Sequence, residues 1–132
     1  MSEIHILPVF VAALSSFLVG GLWYSPKLFG AIWTRENGFD SKTHKGRHPA
    51  SVFAVSFVFS VLSAAGLAGL LGASPSLVDA WLIAAVVSLA FVGASFGINY
   101  QFAGRSWTLL VIDAGYHFVQ LSLMALVLVL LA

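Results

Sequence analysis

The sequence has 132 residues, of which 60% are hydrophobic and 8% charged, with a formal net charge of +1 and a mean hydropathy of +0.99. Soluble domains carry about a quarter charged residues, so this composition indicates an integral membrane protein and leaves no room for a soluble catalytic domain. With no cysteine, disulfides, thiol catalysis and thiolate metal sites are excluded.

The first predicted span runs over residues 4–24. It follows an acidic Met1-Ser2-Glu3 and lacks a small-x-small cleavage pattern, so it reads as a retained helix and not a signal peptide. Pro8 sits in its first turn, where a missing N–H costs least. Ala12, Ser16 and Gly20 recur every four residues as a close-packing face. Trp23 and Tyr24 are expected to anchor its end at the membrane–water interface. Ser25-Pro26 then reads as the cap and first position of a short helix over residues 26–37. Phe29 and Trp33 lie on its apolar face as further interfacial anchors, with Lys27 and Arg35 at its flanks. Residues 40–48 read as a polar loop.

The second span, 50–71, is rich in small residues. Ser56, Ser60 and Ser63 follow one face, while Ala65, Gly66, Ala68 and Gly69 crowd its second half. After the Ser74-Pro75-Ser76 turn, Ser76 and Asp79 fit a helix cap for the third span, 77–102. An uninterrupted helix there puts Ser88, Ser95 and Asn99 on one face. The fourth span, 107–131, begins at Trp107, another expected anchor, and carries Asp113, Tyr116, His117 and Gln120 in its first half. At 100° per residue, Asp113, His117 and Gln120 form a polar stripe with Tyr116 beside it; Gly115, Ser122 and Ala125 line the opposite side. The chain is therefore expected to be a single all-α domain over residues 1–132, with four transmembrane helices and one cytoplasmic interfacial helix.

Five of the six Lys and Arg residues, Lys27, Arg35, Lys42, Lys45 and Arg47, lie between spans one and two; Arg105 lies between spans three and four. The positive-inside rule places both basic loops in the cytoplasm and both termini outside.

Ionisable groups inside a membrane are expensive and face the bundle or a water-filled cavity. By helical rise Asp113 lies roughly 9 Å and His117 roughly 15 Å below Trp107, at the depth where Asn99 and Tyr100 of span three and Trp23 and Tyr24 of span one also arrive, so these residues are expected to cluster. A carboxylate and an imidazole one turn apart can share a proton, which gives a transport reading in which Asn99, Asp113, Tyr116, His117 and Gln120 line a cytoplasmic-side vestibule. The competing reading makes the same residues packing glue, with Arg105 the nearest cation for Asp113. It is favoured by the absence of a second intramembrane carboxylate to continue a path. His44 and His48 have a chelating spacing but sit in a basic loop, so no metal is implied. His5 lies at the opposite end from His117, so the two cannot jointly ligate a haem, and no cofactor is expected. No nucleophile with a base, phosphate loop or nucleic-acid patch appears, which disfavours an enzyme.

Two stretches carry a family resemblance: Gly20-Gly21-Leu22-Trp23-Tyr24-Ser25-Pro26 with Phe29-Gly30 and Trp33, and Phe102 with Arg105-Ser106-Trp107 leading into Ile112-Asp113-Ala114-Gly115-Tyr116-His117. Together they resemble the bacterial small membrane family known as domain of unknown function 1761, across essentially the whole chain. The resemblance implies a four-helix membrane fold and a shared role for the two motifs. It implies no activity. Two functional classes follow: a small oligomeric channel or carrier, or a non-transporting accessory subunit of a larger membrane complex. In either, the lipid bilayer and a second copy or membrane partner are the expected surroundings.

Overall fold

The structure is a computed structural model and describes residues 5–39 and 46–132. The expected loop over residues 40–48 and the His44 half of the histidine pair fall largely outside them. Among the described residues four helices are long and apolar enough to cross a membrane: α1 (Ile6–Trp23), α3 (Pro49–Leu71), α4 (Leu77–Ala103) and α5 (Trp107–Leu130). A short helix, α2 (Gly30–Glu36), lies between α1 and α3.

Local chemistry sets the helix boundaries. The Ser76 hydroxyl accepts from Asp79 N–H at 3.0 Å, and the Ser106 hydroxyl from Leu109 N–H at 3.1 Å, each satisfying a donor that a helix start leaves orphaned. Pro49 opens α3, with the His48 ring accepting from Ala50 N–H. Helix α4 ends at Gly104, whose φ of 68° is left-handed, a conformation cheap only for glycine.

The α1–α2 connection departs from expectation. Residues 24–29 form turns, and α2 starts at Gly30, not at Pro26. Phe29 N–H reaches back to the Trp23 carbonyl and Gly30 N–H to that of Ser25, both at 3.0 Å. These bonds reverse the chain before a helical ladder can begin. The reversal is so tight that a Cβ on Gly30 would lie 2.3 Å from the Tyr24 carbonyl oxygen, so the Phe29-Gly30 pair is a steric requirement of the turn.

Helix α4 is not uniform. Its middle, Val87–Gly93, is a π-helix, whose wide turns each take up an extra residue. Residues downstream are rotated by about one residue step relative to an unbroken α-helix. Ser88 is consequently buried while Ser95 and Asn99 are exposed, so the expected shared face does not exist.

Helix α5 packs against α1, α3, α4 and α2. The apolar core occupies the half of the bundle away from the basic loops: Val9, Ala12 and Ala13 on α1, Ala64, Leu67 and Leu71 on α3, Ala80 and Ala84 on α4, and Leu121, Met124, Ala125 and Leu128 on α5. Six of these twelve are alanines, which let the helices approach closely. In the other half α1 meets α3 through Phe17 against Phe53 and Phe57, and the end of α4 meets α5 through Tyr100 and Asp113. The helices there do not close into a second apolar core. Large apolar side chains such as Leu18, Val58, Leu62 and Phe91 point outward and are exposed, as a lipid-facing surface requires.

Candidate functional site

The polar stripe of α5 divides into two parts with different surroundings. The first is centred on Asp113, which is only 7% exposed. The Tyr24 hydroxyl donates to Oδ1 at 2.6 Å, the Trp33 indole N–H donates to the same oxygen at 3.1 Å, and the Tyr100 hydroxyl donates to Oδ2. One carboxylate thus ties the end of α1, α2 and α4 to α5. All three donors are neutral, and charge-assisted hydrogen bonds of this kind replace the hydration that a buried carboxylate loses.

This geometry corrects three expectations. Arg105 does not pair with Asp113; its guanidinium donates to Asn37 Oδ1, bracing the end of α2 against the α4–α5 turn. Asn99 is exposed and makes no bond to Asp113; of the two α4 residues expected at this depth, Tyr100 is the one that does. Trp23, Tyr24 and Trp33 turn their polar atoms inward and not toward a membrane surface. The Trp23 indole N–H donates to the Ile112 carbonyl at 3.0 Å, and its ring lies against Gly115, where a Cβ would come within 3.3 Å. Phe29 packs on Trp23 at a centroid distance of 4.7 Å. Trp107, 70% exposed, is the expected anchor whose ring does stand outward. Tyr24 is expected at this depth; sequence could have assigned Trp33 too a role beyond anchoring, because a buried carboxylate demands donors and Trp33 lies in the motif that accompanies it.

The second part is formed by Tyr116, His117 and Gln120. Tyr116 donates to the Ser16 carbonyl at 3.2 Å, its hydroxyl filling the space over Gly20, where a Cβ would sit 2.9 Å away. His117 does not share a proton with Asp113. Its Nδ1 lies 2.7 Å from Gln120 Oε1, and its ring stacks on Phe96 with centroids 5.2 Å apart. An amide oxygen only accepts, so Nδ1 is the donor in this arrangement, and in the neutral ring Nε2 is then the acceptor.

Tyr116, His117 and Gln120 border a cleft of about 520 Å³ between α1, α3 and α5. Phe17, Gly20, Gly21 and Tyr24 form one wall; Val52, Phe53, Ser56, Phe59, Ser60 and Ser63 form another. The volume falls within the range of small-molecule sites, about 300–1,000 Å³, and a mostly apolar lining with a few convergent polar groups is their usual character. A shallower cleft of about 370 Å³ lies along α4, bordered by Phe91, Val92, Ser95, Phe96 and Asn99. No group of three metal-ligating side chains occurs among the described residues.

No curated protein and no solved structure matches the chain. Residues 7–129 match the family model described as Protein of unknown function (DUF1761). With nearly its whole length matched, four apolar helices of spanning length and the Trp-Tyr-Ser-Pro and Asp-Ala-Gly-Tyr-His motifs joined at one carboxylate, the chain belongs to the DUF1761 family.

Proposed function

We propose that this protein is a small carrier of the bacterial inner membrane, with both termini outside, whose ligand occupies the cleft between α1, α3 and α5. The observation that carries the reading is the shape of the bundle. The cleft occupies the half near the basic loops, and the apolar core blocks the other half. A pocket confined to one half of the bundle, with the other half closed by packing, fits a carrier in one of its states; a channel requires a continuous path. His117 and Gln120 are the working polar pair in this scheme, and the Asp113 cluster is the framework that holds the helices apart. At Gly66 an added Cβ would meet nothing within 4 Å, which leaves part of the small-residue face of α3 free for a second copy, so assembly as a homo-oligomer belongs to the proposal.

The second reading, a non-transporting accessory subunit, is supported by Asp113 itself. Its carboxylate is buried and fully hydrogen-bonded, the condition of a packing residue rather than of a working proton site.

Side-resolved labelling separates the readings. The chain has no cysteine, so Ser60→Cys introduces a single thiol into the cleft. In sealed vesicles of defined orientation, a membrane-impermeant maleimide should label it from the basic-loop side alone. Labelling from both sides would favour a channel, and labelling from neither would favour the accessory subunit. Val58→Cys, on an outward apolar face, is the control that lipid should protect.

A further inference from the structure

Three polar side chains that border the cleft leave hydrogen-bonding capacity unused. Ser60 is 6% exposed, yet its hydroxyl has no hydrogen-bond partner among the described residues. The hydroxyls of Ser15, Ser16 and Ser88 behave differently, each donating to the carbonyl three residues back in its own helix. Gln120 is 5% exposed; its Oε1 is taken by His117, but its amide nitrogen has no partner among the described residues. His117 Nε2 likewise has none. These three atoms remain accessible from the cleft, so an occupant that takes up their hydrogen bonds is stabilised by doing so.

No Asp, Glu, Lys or Arg borders the cleft. The nearby carboxylate of Asp113 is already engaged by three donors. An ion entering the cleft would lose hydration and meet no opposite charge, a loss that neutral dipoles do not make good as cheaply for an ion as for an uncharged group. Two of the open groups, the Gln120 amide and the Ser60 hydroxyl, donate; one, His117 Nε2, accepts. Phe17, Phe53 and Phe59 supply an aromatic lining for an apolar body.

We infer that the cleft selects an uncharged molecule with a carbonyl-bearing head, held by Ser60, Gln120 and His117, on an apolar or aromatic body. The inference rests on the proposal that the cleft is a ligand site. The Gln120 amide and Ser60 hydroxyl donate to the carbonyl oxygen, and His117 Nε2 accepts from an N–H or O–H on the same head. Selection against ions follows from the absence of any charge to receive them.

The test uses Ser63→Cys as a reporter in the otherwise cysteine-free full-length protein, reconstituted in lipid vesicles, with the rate of N-ethylmaleimide labelling as the readout. Three compounds of matched size compete with the label: phenylacetamide, phenylacetate and phenethylammonium. Phenylacetamide at millimolar concentration should slow labelling at least threefold, and the two ions should not. Adding Gln120→Leu, or independently Ser60→Ala, should remove the slowing while leaving basal labelling in place. Equal slowing by either ion, slowing by none of the three, or slowing that survives both substitutions overturns the inference. Failure of the reporter to label under any condition would instead remove the cleft reading beneath it.

Discussion

The bond from Trp33 to Asp113 can be isolated by a double-mutant cycle. Trp33→Phe removes the indole N–H that donates to Oδ1 at 3.1 Å while keeping an aromatic ring beside Tyr24, 5.8 Å away centroid to centroid. A hydrogen bond to a charged group contributes about 1.5–3 kcal/mol, so this single change should cost about 2 kcal/mol and lower the folded-to-unfolded ratio roughly thirtyfold. Asp113→Asn keeps the shape but removes the charge, leaving one oxygen and one amide nitrogen to meet Tyr24, Trp33 and Tyr100. If indole and carboxylate interact as described, the two changes together cost less than their sum, with a coupling of about 1–2 kcal/mol. Reversible unfolding in mixed micelles, followed by circular dichroism, measures the four corners. Hydrogen exchange over residues 30–36 should rise in Trp33→Phe, since α2 loses its tether. Costs that add within about 0.5 kcal/mol, with exchange unchanged, would refute the picture of α2 latched through Asp113.

Asp113→Leu should be worse than either change above, at a cost of about 3 kcal/mol or more, because it strands two phenols and an indole N–H in the bundle; an unchanged unfolding midpoint would contradict this. Gly20→Ala should destabilise by about 1–3 kcal/mol by pushing the Tyr116 hydroxyl off Ser16, whereas Gly21→Ala, with nothing within 4 Å, should be neutral or mildly stabilising in the same titration. Gly30→Ala should open the α1–α2 turn and raise exchange over α2 as Trp33→Phe does. For orientation, a cysteine at Arg47 should react with impermeant maleimide from the cytoplasmic side and one at Ala73 from the outside; the reverse pattern would invert the assigned topology.

The spanning helices were legible because composition and length suffice to specify them, and capping residues such as Ser76 and Ser106 mark where two of them begin. The importance of Asp113 and of the two motifs was legible for the same reason that intramembrane charge is always informative. What periodicity could not reveal was the partner list. The π-helix carries no clear signature in Val87–Gly93, and periodicity does not say which of Asn99 and Tyr100 meets Asp113. Trp33 was misplaced because an aromatic face flanked by basic residues looks the same whether it meets lipid or folds back onto the bundle. The cleft depends on how α1, α3 and α5 are spaced, a tertiary property with no local signal, although the Ser56, Ser60 and Ser63 stripe already identified the side of α3 that borders it.

The single carboxylate at the junction also bears on how the chain is made. Helix α5 has the lowest mean hydropathy of the four spans, 1.5 against 2.0–2.2 for the others, and is the last of them to be synthesised. Tyr24, Trp33 and Tyr100 all precede it, so the donors that receive Asp113 are synthesised before it. A helix of weaker partition into lipid gains from such a docking site, and a substitution at any of those three donors is expected to affect yield during biosynthesis as well as stability afterwards.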